Sequence, residues 1–183
     1  MKKQVEFYNT PSGYVMCDDG NYTTRLSESS REVVDELLDT IRECYSDAYH
    51  ALEQCYSKSS KNTRYQKFRI VNRFIRCNCG ELDTQKIDFI DGNINIEQVH
   101  CPLRGSGDCQ YENVICNPRR TSVLTVRQLQ IAAALAEGLS PQEISDRLYI
   151  SIHTVHNTIQ VIKVKLNLKN TSQIITWYNN MNK

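Results

Sequence analysis

One short stretch near the C-terminus combines hydrogen-bonding and cationic side chains at helical spacing. Over residues 151–166 the candidate contact residues are His153, Thr154, His156, Asn157, Gln160, Lys163 and Lys165. Side chains of these types bind base edges and phosphates, and the stretch contains no acidic residue. Its other face is apolar, with Val155, Ile159, Ile162 and Leu166. The pattern favours a helix that reads the major groove of DNA, and the alternative is a helical hairpin with a solvated basic face.

Five cysteines indicate a second kind of chemistry, the coordination of a metal ion by thiolates. They are Cys77, Cys79, Cys101, Cys109 and Cys116. The predicted ligands of a structural zinc ion are the last three of these and either Cys77 or Cys79, with His100 as an alternative ligand. Two other interpretations are reduced cysteines buried as small apolar residues, and a redox switch that forms a reversible disulfide.

Four short helices with defined ends are predicted to position the polar stretch over residues 124–176. The predicted caps are Thr125 with Gln128, Ser140 with Glu143, Ser151, and Asn170 with Gln173. Gly138 is a suitable stop for the first helix, and Pro141 suits the first position of the second. A short helix, a tight turn and a polar helix form the arrangement that a helix-turn-helix requires.

The N-terminal region is predicted to contain one long helix over residues 27–57. Its apolar positions alternate by four and three, at Val34, Leu38, Ile41, Tyr45, Ala48, Leu52 and Cys55. This spacing fits an irregular coiled-coil seam between two chains, and it equally fits an amphipathic helix packed within its own domain. Residues 1–25 are expected to form a loose arm with one short strand near residues 14–17. Residues 64–76 are cationic and fit either a helix or a strand.

A β-hairpin is predicted over residues 87–99. Asp91-Gly92 is a favoured pair for a two-residue hairpin turn. With this turn, Phe89 would face Ile94 and Ile87 would face Ile96. The apolar side of the hairpin needs a cover, and the long helix is the expected one.

The charge of the chain is nearly balanced, at +1 over 183 residues, but it is unevenly distributed. Residues 121–183 contain six Lys/Arg and three Asp/Glu, so basic side chains predominate in the C-terminal part. No apolar run approaches membrane-spanning length, and no apolar segment follows the first lysines as it would in a signal peptide. We therefore expect a cytoplasmic protein with no membrane partner, whose cysteines are reduced or metal-bound.

Residues 124–176 resemble the LuxR/GerE-type helix-turn-helix family. The matching residues are Leu124-Thr125, Arg127, Ala136 to Ser140, Glu143-Ile144, Arg147-Leu148, Ile150-Ser151, Thr154-Val155, Asn157 and Lys165-Leu166. The resemblance implies a DNA-binding transcription regulator whose recognition helix is 151–166. Val126 replaces a proline of the family pattern, Tyr149 a glycine and His156 a lysine. We therefore expect a strained or rearranged turn at Tyr149 and a weaker or pH-dependent contact at His156.

We predict a mainly α protein with two domains. Residues 1–118 would form a helical, Cys-rich oligomerisation or regulatory domain with a small β-hairpin, and residues 119–183 a four-helix LuxR-type domain. The expected function is sequence-specific transcription regulation, with double-stranded DNA and a second copy of the chain as partners and RNA polymerase as a further candidate. A redox- or metal-sensing regulator and a sigma-factor-like subunit are the alternatives. No catalytic constellation is present, so no enzymatic activity is expected.

Overall fold

A computed structural model describes residues 4–80, 82, 87–90 and 92–181. The chain divides into two compact units, Met1–Ser122 and Val123–Lys183. The described residues form seven α-helices and one small antiparallel sheet. The strands are β1 (Gln4–Asn9), β2 (Val15–Asp18), β3 (Thr23–Arg25), β4 (Phe89–Ile90) and β5 (Asn93–Ile94). The helices are α1 (Arg31–Cys44), α2 (Ser46–Cys55), α3 (Thr63–Asn78), α4 (Val126–Ala136), α5 (Pro141–Leu148), α6 (Ile152–Leu166) and α7 (Thr171–Met181).

The predicted short strand near residues 14–17 is confirmed as β2. The prediction of a loose arm is wrong, because the first 25 residues also contain β1 and β3. The sheet has the strand order β3-β2-β1-β4-β5, and every pair in it is antiparallel. Val5 pairs with Phe89, across more than half of the N-terminal unit. Such long-range pairing stabilises strands whose local sequence is too short and too polar to indicate them.

The predicted hairpin is confirmed in its register but is shorter than expected. Phe89 pairs with Ile94, and Ile90 pairs with Asn93. The predicted partners Ile87 and Ile96 lie outside the two strands. Asp91 of the predicted turn lies outside the described residues. The hairpin is not isolated, since β4 also pairs with β1.

The predicted long helix is interrupted at Tyr45, where the backbone leaves the helical region at φ −140° and ψ 54°. Tyr45 and the seam residues Ile41 and Leu52 are buried inside the N-terminal unit itself. The Tyr45 hydroxyl donates to the Ile94 carbonyl at 3.1 Å, so this helical segment contacts the hairpin as expected. The coiled-coil interpretation is therefore wrong, because these side chains already pack within their own unit.

The cationic stretch forms helix α3 rather than a strand. Ile70, Val71 and Phe74 are buried on one face of it. Lys67 on an exposed face forms an ion pair with Asp35 of α1, with 2.7 Å between Nζ and Oδ1. Lys67 of α3 thus has an acidic partner within the same unit.

The C-terminal unit packs α4 to α7 around one apolar core. The core includes Leu124, Ile131, Ala132, Ile144, Val155, Ile162 and Ile174. The capping boxes Thr125–Gln128 and Ser140–Glu143 are both present, which confirms them. Among the described residues, no helix is long and apolar enough to cross a membrane.

Candidate nucleic-acid interface

Helix α6 begins at a side-chain cap and buries one apolar stripe. The Ser151 hydroxyl oxygen accepts from the backbone N–H of Thr154 at 3.0 Å. Val155, Ile159 and Ile162 are buried, and the helix packs against α4 and α5. The stripe confirms the predicted periodicity, and it determines which way every other residue of α6 faces.

The predicted contact residues divide into an outer row and two flanks. At about 100° per residue, His153, Asn157 and Gln160 lie opposite the buried stripe, and all three are exposed. His156 and the half-buried Lys163 form one flank, beside a groove of about 400 Å³. Thr154 and Lys165 form the other flank, and both are exposed.

Two exposed valines belong to the same outer surface and were not among the predicted contact residues. Val164 is 81% exposed and Val161 is 43% exposed. A sequence signal was present, since both positions fall outside the stripe of Val155, Ile159 and Ile162. A valine at such a position is apolar surface that the C-terminal unit itself does not cover.

Lys165 differs from the other predicted contacts because its ammonium group is already bound. Its Nζ donates to Gln128 Oε1 at 3.0 Å and lies 3.4 Å from the Val123 carbonyl oxygen. It therefore links the C-terminal part of α6 to the start of α4. The Lys165 ammonium group is therefore less available to an outside partner than the ammonium group of a lysine without these hydrogen bonds.

The turn between α5 and α6 is built without the glycine of the family pattern. Tyr149 has φ 53° and ψ 45°, in the left-handed region that disfavours a side chain. Its side chain is 95% exposed. The turn is held from both sides, because Arg127 Nη2 donates to the Leu148 carbonyl at 2.7 Å and the Ser145 hydroxyl donates to the Ile150 carbonyl at 2.7 Å. The expected strain is thus localised at Tyr149, and the helix-turn-helix arrangement is retained.

A comparison with family models identifies this unit. Residues 122–178 match the model described as "Bacterial regulatory proteins, luxR family". The C-terminal unit is a LuxR-family domain. No curated protein and no solved structure matches the chain. The LuxR-type unit is a DNA-binding helix-turn-helix domain of the kind found in transcription regulators. Apart from Ser122, the match does not extend into the N-terminal unit.

The five predicted metal ligands in the N-terminal unit separate into two environments. Cys77, Cys101 and Cys116 lie close enough for their charges to interact. Arg73 contacts Cys77, and it is also close enough to Cys109 for their charges to interact. Cys79 is fully buried elsewhere, with its thiol 3.8 Å from the Asn95 carbonyl oxygen. The alternative ligand His100 is exposed.

A group of three carboxylates near Cys79 was not found from the sequence. Ligand atoms of Glu6, Asp88 and Glu97 lie within 4.8 Å of one another, and among the described residues no other His, Cys, Asp or Glu trio is this close. Burial and the neighbouring Glu97 and Glu6 raise the pKa of Asp88 to about 8, against the hydrogen bond that Asp88 accepts from the Phe7 N–H. Glu6 and Asp88 are far apart in the sequence, so no local motif indicates the group.

Proposed function

We propose that this protein is a sequence-specific DNA-binding transcriptional regulator that places α6 in the major groove. The observation that carries the proposal is the outer surface of α6, which is exposed, hydrogen-bonding and free of acidic residues. Its position within a LuxR-family domain supports the same assignment. A helix of this width fits the major groove, where each base pair presents a distinct pattern of donors and acceptors.

The outer row of α6 and the flank that contains His156 suggest different roles. His153, Asn157 and Gln160 project furthest from the core and suit contacts with base edges. His156 and Lys163 lie on a flank and suit contacts with phosphates. Val161 and Val164 offer methyl groups that can pack against the methyl group of thymine.

The test is DNA binding by the full chain. A duplex that the protein prefers is first selected from a random library, and its affinity is measured by fluorescence anisotropy. We expect alanine at His156, Asn157, Gln160 and Lys163 together to abolish specific binding. Asn179→Ala is the matched control, because Asn179 is an exposed asparagine on α7. Unchanged affinity of the quadruple variant would falsify the assignment of α6.

Two chains are expected to bind one operator. A single recognition helix covers only a few base pairs, so useful specificity requires paired half-sites about one helical turn apart. Ile174 on α7 is fully buried in the domain core, so it cannot contact a second chain. Sedimentation of the full chain with a duplex that carries both half-sites should show two chains per duplex. A complex with one chain, at full specificity, would contradict the dimer.

A further inference from the structure

Residues 95–125 connect β5 to α4 without forming a helix or a regular strand. The segment is nevertheless anchored, since Ile115 is 1% exposed and Val99 is 8% exposed. Irregular segments of this length are uncommon in compact domains unless something other than backbone ladders holds them. In small, loop-rich subdomains a disulfide or a structural metal has this role.

Two cysteines stand at the start of turns in this segment. The Arg104 N–H donates to the Cys101 carbonyl at 3.0 Å, and the Glu112 N–H donates to the Cys109 carbonyl at 3.1 Å. Gly105, at φ +75°, follows the first turn directly.

The end of α3 anchors the same segment. The Asn78 side chain donates to the Ile115 carbonyl at 2.8 Å and accepts from the Asn117 N–H at 2.8 Å. Arg104 Nη2 lies 3.4 Å from the Cys77 carbonyl oxygen. These bonds hold Cys77 beside the stretch that carries the other cysteines.

Two arginines among these thiols have donors without acceptors. Arg73 contacts Cys77, yet its buried Nε has no hydrogen-bond partner. The buried Nε of Arg104 has none either. A buried donor without an acceptor is costly, and an acceptor placed nearby would remove that cost. Thiolates bound to a metal ion would supply such an acceptor, and their negative charge suits a guanidinium donor.

We infer that Cys77, Cys101, Cys109 and Cys116 bind one zinc ion as thiolates, with Arg73 as an outer donor to the sulfurs. On binding, each thiol releases its proton to solvent, so four thiolates and Zn²⁺ form a complex of charge −2 that the guanidinium groups offset. Cys79 is not a ligand, because its thiol faces the Asn95 carbonyl and the carboxylates. Zinc suits the site because it prefers thiolate ligands and has no redox chemistry.

Binding must draw the sulfurs together. Within the part of the chain that the structure describes, no three cysteine sulfurs lie within 4.8 Å of one another. This movement would take place in the irregular segment, where no helix or regular strand has to be disrupted. Zinc would thus tie α3 to the irregular segment and complete the folding of this part of the unit.

The first test is the zinc content of the full chain, purified under reducing conditions without added metal. We expect about one zinc per chain, and at least tenfold less in Cys77→Ser and Cys109→Ser. Cys79→Ser is the matched control, two residues from Cys77, and Cys55→Ser is a control on an exposed thiol. Both controls should retain the metal.

A second measurement does not require a variant to fold. Alkylation of the native protein, mapped by mass spectrometry, should protect Cys77, Cys101, Cys109 and Cys116 until a chelator is added. Cys55 should react at once.

The inference is wrong if Cys77→Ser retains zinc while Cys79→Ser loses it. It is also wrong if the native protein contains far less than one zinc and all four thiols react quickly, or if two of them form a disulfide. The inference does not depend on DNA binding, so the two proposals fail separately.

Discussion

Asn157 and Lys163 lie on the same helix, but we expect them to contribute to DNA binding in different ways. Asn157→Ala should weaken binding to the preferred duplex by about 1–3 kcal/mol and leave nonspecific binding unchanged, as the loss of a base contact does. Lys163→Ala should weaken binding to every duplex and reduce the slope of log K against log salt by about one unit, as the loss of a phosphate contact does. Titrations at several salt concentrations on preferred and scrambled duplexes separate the two effects.

Lys165→Ala is the control for the lysine. It removes the same charge, but its ammonium group is bound to Gln128. We expect a smaller change in the salt slope than for Lys163→Ala. Equal salt slopes for the two variants would show that the bond to Gln128 does not reduce the contribution of Lys165 to DNA binding.

Asp88 is expected to make the stability of the N-terminal unit depend on pH. Its pKa is raised from 3.8 to about 8 in the folded chain, chiefly by burial. Between these values the folded state retains the proton that the unfolded state has released, so the free energy of unfolding falls as pH rises from about 4 to about 8. Asp88→Asn removes this proton and should flatten the dependence in urea unfolding at pH 5, 6.5 and 8. Parallel pH curves for the two proteins would contradict the raised pKa.

At the scale of elements, the turn between α5 and α6 contains strain that a glycine should relieve. Tyr149 occupies the left-handed region and its side chain is almost fully exposed, so its removal costs little packing. Tyr149→Gly should therefore raise the free energy of unfolding of the LuxR-type domain by about 1 kcal/mol. Tyr149→Ala is the control, because alanine keeps the unfavourable φ and should give no gain. An equal gain from alanine would mean that the backbone is not the cause.

At the scale of the molecule, the apolar seam of α1 and α2 is part of the core and not a dimer surface. Leu38 is 5% exposed within its own unit. Leu38→Ala should lower the free energy of unfolding by about 2–5 kcal/mol and leave the sedimentation coefficient of the folded chain unchanged. Cys55→Ala, at the exposed end of the same seam, should change neither quantity. Dissociation of an oligomer by Leu38→Ala without loss of stability would restore the coiled-coil interpretation.

The LuxR-type domain was predictable from the sequence because its signals are short-range. Helix ends depend on residues three positions apart, as in Thr125 with Gln128 and Ser140 with Glu143. The buried stripe of α6 follows from a period of 3.6 residues. Such patterns depend only on residues that are close in the sequence. The buried stripe of α6 also determines which of its residues form the exposed polar surface.

The arrangement of the N-terminal unit was decided only by tertiary contacts. Strand β1 exists because it pairs with β2 and β4, and the carboxylates meet because Phe7 N–H binds Asp88 Oδ2 at 2.7 Å. Cys77 and Cys79 looked equivalent, yet α3 ends at Asn78 and the backbone at Cys79 becomes extended, with φ −143° and ψ 103°. The two thiols therefore point into different environments. Local sequence cannot specify this difference, because it depends on where a helix ends against residues distant in the chain.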